Sequence, residues 1–108
     1  MTTSTDSESQ WYPFDTGSTI GTIGSESGTI IRDEEHPAGT RITLERGGRT
    51  APFAITCGIY GCFYHTVFIG SESEASTTYD AMKPRLAELA SRDGDIYDEL
   101  DEFTKQFP

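Results

Sequence analysis

With 108 residues, 34% of them hydrophobic and 11% aromatic, the chain has material for one domain around one core. Its formal net charge of −10, with eight basic residues scattered rather than gathered into a stripe, argues against nucleic acid or an anionic lipid surface as a direct partner. No segment approaches the roughly 20 apolar residues of a membrane helix, and the start has no basic flank or apolar run of an export signal, so the expected location is cytoplasmic.

Residues 1–10 are mostly Ser, Thr and acid, with little apolar surface to offset ordering entropy. A disordered tail over 1–10 and a single α+β domain over 11–108 are expected. Trp11, Tyr12 and Phe14 cluster around Pro13 and are expected to dock onto the domain or a neighbour. Residues 17–28, rich in Gly, Ser and Thr, read as a loose or edge strand. A short strand is expected at 29–33, with 34–39 as its connection.

The Arg41-Ile42-Thr43-Leu44-Glu45 run alternates polar and apolar, the period of a half-buried strand. Gly47-Gly48 fits a two-residue hairpin turn, and 53–57 reads as the returning strand. A four-residue turn at 58–61 leads to a strand at 62–69, rich in aromatic and β-branched residues. These turns pair Ile42 with Phe53, Ile55 with Tyr64 and Cys57 with Cys62. They gather Ile42, Leu44, Phe53, Ile55, Cys57, Tyr64 and Phe68 on one face and leave Phe63, Val67 and Ile69 on the other. Pro52, lacking an amide hydrogen, is expected to fray the ladder near Val67.

Ser71-x-x-Glu74 fits a capping box. Tyr79, Met82, Leu86 and Leu89 then form one helical stripe, in which Pro84 predicts a kink or a break. After Gly94, Asp95 can cap a last helix whose stripe is Ile96, Leu100, Phe103 and Phe107.

Three groups of residues invite a chemical reading. Phe14-Asp15-Thr16-Gly17-Ser18 is similar to the active-site signature of aspartic proteases. The resemblance spans five residues and implies a water-activating Asp15, whose partner carboxylate a chain this short would supply by dimerising. The same residues also make an ordinary turn. Cys57, Cys62, His65 and His36 are zinc-type ligands, but a strand places Cys62 and His65 on opposite faces. The alternative is two small thiols and a polar side chain, with Cys57 and Cys62 close enough across the ladder to form a disulfide under oxidation. Asp33-Glu34-Glu35-His36 reads as a solvated charge run on an exposed connection.

The expected architecture is therefore α+β: an antiparallel meander of four to five strands, followed by C-terminal helices packing on one face. With no catalytic, cofactor or metal constellation established, the chain reads as a non-enzymatic interaction or accessory domain. Its surplus apolar surface points to a homodimer, or to another protein as partner. The alternatives are a small hydrolase using Asp15 and a thiol or metal protein using Cys57 and Cys62.

Overall fold

Alternating side chains in the middle of the chain build a five-stranded antiparallel sheet. The computed structural model describes residues 10–108, so the expected 1–10 tail lies, but for Gln10, outside the described residues. The strands are β1 (Tyr12–Pro13), β2 (Thr29–His36), β3 (Thr40–Arg46), β4 (Phe53–Ile59) and β5 (Phe63–Ile69), in the spatial order β1-β2-β3-β4-β5. Two helices follow, α1 (Glu72–Ala90) and α2 (Tyr97–Gln106).

Both helices pack on one face of the sheet and share a single core with it. Ile42, Leu44, Phe53, Ile55, Cys57, Val67 and Ile69 meet Tyr79, Met82, Leu86 and Leu89 from α1, and Leu100, Phe103 and Phe107 from the last helical segment. Ser71 caps α1 by accepting the Glu74 amide at 3.3 Å. The helix continues through Pro84 as one element. Asp95 accepts the Tyr97 amide at 2.9 Å, which ties the start of α2 to the turn before it. Among the described residues, no helix is long and apolar enough to cross a membrane.

Two strand registers differ from the sequence expectation, with opposite consequences. Ile42 pairs with Cys57 rather than Phe53, a shift of four residues that leaves every side chain on its expected face. The Gly47-Gly48 turn is replaced by a loop over 47–52, closed by the Gly47 amide on the Pro52 carbonyl at 2.7 Å and held by the Arg49 amide on the Glu26 carbonyl at 3.1 Å. Pro52 thus lies outside the ladder. In the next hairpin Ile55 pairs with Val67 rather than Tyr64, a shift of three, and an odd shift exchanges the faces. Val67 and Ile69 are buried under the helices, while Tyr64 and Phe68 are exposed on the far side. The cause is a turn over 60–62, one residue shorter than expected, in which Gly61 takes a φ of +74°.

The N-terminal half departs more. Strand β2 runs on through Asp33, Glu34, Glu35 and His36, which are therefore sheet residues and not an exposed connection. Residues 17–28 contribute an isolated bridge between Ile23 and Thr29 and otherwise form turns rather than a strand. The aromatic segment does dock: Tyr12–Pro13 pairs with β2, and the Trp11 ring meets the His36 ring edge-on at 5.2 Å. On the helix side, Glu34 clasps α1 by accepting from Lys83 at 2.6 Å, and its neighbour Arg32 reaches Asp80 of the same helix at 3.0 Å. The Tyr79 hydroxyl lies 3.2 Å from Glu34 and 3.3 Å from the Ile42 carbonyl, its one proton shared between them. Burial, then the negative charge of Glu34, push this phenol well above its ordinary range.

Truncating Leu86 or Ile69 to Ala should cost about 2–5 kcal/mol in denaturant unfolding. Ile69 is the sharper probe, because it is buried only in the observed register. A wild-type midpoint for Ile69→Ala would overturn that register.

Candidate functional site

The helices leave one face of the sheet uncovered, and alternation decides what stands on it. Asp33 and Glu35 of β2, Arg41, Thr43 and Glu45 of β3, Thr56 of β4, and Tyr64, Thr66 and Phe68 of β5 share this side. The 17–28 segment folds over one half as a wall, and the 60–62 turn rises at the other. Between them lies an open groove of about 1030 Å³, lined among others by Ile23, Arg41, Thr43, Thr56, Tyr60 and Tyr64.

The wall is fastened to two buried carboxylates. Glu45, 1% exposed, accepts the Gly28 amide at 3.0 Å and the Glu26 amide at 3.1 Å. Its carboxyl fills the space where a side chain on Gly24 would begin: a Cβ there would lie 2.4 Å from it. Asp33, 3% exposed, receives Arg41 through two bonds of 2.9 and 2.7 Å, Thr43 at 3.0 Å and Thr19 at 2.8 Å. The bonds to Asp33, ahead of all else, hold the Arg41 guanidinium above its ordinary pKa. The Phe14 ring stacks on that guanidinium at 3.5 Å.

At the other wall Glu35 accepts two phenols, Tyr12 at 3.0 Å and Tyr60 at 2.5 Å. Although the Tyr60 ring is largely exposed, desolvation of its hydroxyl and then the bond to Glu35 push its pKa up to about 12. The polar groups of the floor are thus occupied by one another. Toward solvent the groove presents Ile23 at 70% and Tyr64 at 69% relative exposure, with Tyr60 and the exposed Cys62 at its rim, and Phe68 is exposed beyond it on the same face of β5.

The residues singled out from sequence fall in separate places. Asp15 is exposed in the tight turn at Phe14–Gly17, with a φ of +51°, and its carboxylate accepts the Ser18 hydroxyl at 2.6 Å. Cys57 is buried and stands opposite His65 rather than Cys62, which is exposed in the 60–62 turn. His65 Nε2 lies 2.6 Å from the Phe107 carbonyl and ties β5 to the end of α2. His36, far along β2, accepts the Ala38 amide on Nδ1 at 3.0 Å. Among the described residues, no group of three or more His, Cys, Asp and Glu side chains is arranged to hold a metal ion.

Sequence reasoning missed Glu45 and the outward pair Tyr64 and Phe68. Glu45 had no signal of its own: Gly24 and Gly28 pass close to it, but Gly17 and Gly21, at the same spacing, meet nothing within 4 Å. The outward pair depended on the length of the 60–62 turn. Compared with protein-family models, curated proteins and solved structures, the chain shows no significant match to any of them.

Burial raises the Cys57 thiol from its ordinary 9.0 to about 12. The folded state therefore favours the neutral thiol, and its contribution to stability is intact below pH 9.0 and lost as pH rises toward 12. At about pH 8, iodoacetamide should place a single adduct on the native chain, at Cys62. Two adducts without denaturant would contradict the burial of Cys57.

Proposed function

We propose that this chain is a non-enzymatic protein-interaction domain that self-associates, with the helix-free face and its rim as the contact surface. The observation that carries the reading is the row of exposed Tyr60, Tyr64 and Phe68 beside a groove whose carboxylates are already bonded within the fold. A carboxylate that serves as base or nucleophile must be left available to a substrate. Asp33 and Glu45 are instead spent on holding the wall, and an apolar rim of this kind suits a protein surface.

The net charge of −10 opposes the meeting of two copies. Salt screens that repulsion beyond about 8–10 Å, while apolar burial is not screened. The same charge supports a protein rather than a nucleic acid or a membrane as partner. Unpaired Cys57 and Cys62 fit a reducing compartment, so the cytoplasm is the proposed location.

Sedimentation at micromolar concentration tests the reading. A species of about twice 11.9 kDa is expected. A single 11.9 kDa species up to the solubility limit would contradict self-association.

A further inference from the structure

The two edges of the sheet are unlike. Strand β1 is two residues long, and one of them is Pro13, which has no amide hydrogen to offer. Short length and proline are the usual means by which an edge is kept from pairing. Strand β5 has neither protection. It runs for seven residues, Phe-Tyr-His-Thr-Val-Phe-Ile, with no Asp, Glu, Lys, Arg, Pro or Gly, and it pairs with β4 over its whole length without a register shift. Its composition is that of an interior strand, yet β5 lies at the outer end of the strand order. Among the described residues, no backbone hydrogen bond outside the sheet ends on residues 63–69.

The side chains of β5 are also arranged symmetrically about its centre. Thr66 is the middle residue, and the two exposed aromatics, Tyr64 and Phe68, stand two residues to either side of it. An antiparallel copy centred on Thr66 would overlap all seven residues and place each Tyr64 directly opposite Phe68 of the second copy. Aromatic cross-strand pairs of this kind are favourable. Such an edge also supplies roughly six to eight main-chain hydrogen bonds.

We infer that two copies of this chain join edge to edge through β5, antiparallel and centred on Thr66, to make one continuous sheet of about ten strands. The inference rests on the self-association proposed above and narrows its contact to the β5 edge, with Tyr64 and Phe68 as the part of the helix-free face that takes part. The pairing sets no acid against another acid, because β5 carries none. It covers the aromatics that the register of β5 turns outward, and it leaves the helix side, with α2 over Phe63 and His65, unchanged.

A charge-swap series on the full chain tests the register by sedimentation over a range of concentrations. Tyr64→Lys and Phe68→Glu each place a charge against an aromatic ring twice in the dimer, and each should weaken dimerisation by about tenfold or more. Combining them sets a lysine opposite a glutamate at both sites and should restore affinity to within about threefold of wild type. Circular dichroism and melting temperature identify a variant that has failed to fold, and the reversed pair, Tyr64→Glu with Phe68→Lys, then takes its place. Singles that dimerise like wild type, or a double variant no better than the singles, would overturn the β5 pairing while leaving self-association standing. A wild-type chain that stays monomeric would remove both.

Discussion

The pairing of Ile59 with Phe63 across the 60–62 turn decides what every side chain of β5 does. A strand has two faces, and the first pair after the turn assigns them. Here it sends Val67 and Ile69 under the helices, where they join Ile55 and Leu44 in the core. It also sets Phe63 edge-on to Phe103 at 5.8 Å and brings His65 to the last turn of the chain. The same assignment turns Tyr64 and Phe68 outward beside the groove. Core, helix docking and the exposed aromatics of β5 are thus consequences of one turn length.

At the opposite side of the sheet, β2 does comparable work with charge. Its consecutive Asp33, Glu34 and Glu35 point alternately to the two faces, and each holds a different layer. Asp33 fastens Arg41 and the 17–28 wall, and Glu34 fastens α1 through Lys83 and Tyr79. Glu35 joins the phenols of Tyr12 and Tyr60 across the sheet. Carboxylates so placed are stable only because each meets several donors; removing those donors would leave desolvated charge. The wall and the rim of the groove therefore depend on side chains that a hydropathy profile would place in solvent.

That difference marks what was legible in the sequence. The α+β class, the antiparallel meander and both helical stripes followed from periodicity, because period 2 and period 3.6 reflect burial directly. Tyr79, Met82, Leu86 and Leu89 are buried as their spacing required. Register was not legible, since Gly47-Gly48 and Gly58-Ile59-Tyr60-Gly61 each permit turns of several lengths, and an error of an odd number reverses a face. Nor was the burial of Asp33 or the half-burial of Glu34, which depend on partners such as Thr19, Arg41 and Lys83 that lie apart in sequence. The groove went unseen for the same reason: it exists only where the 17–28 segment is laid over β3.

In the pairing we infer, the unguarded edge at β5 is the one that joins, and the guarded edge at β1 would limit the assembly to two copies. Amide hydrogen exchange of β5 tests this most directly, because the outward-pointing amides of an edge strand are protected only when a second strand pairs with them. At concentrations that favour association, alternate amides across residues 63–69 should exchange slowly, and their protection should fall on dilution while that of β3 and β4 persists. Outward amides of β5 that exchange rapidly at every concentration, in a chain whose β4 amides remain protected, would contradict the account.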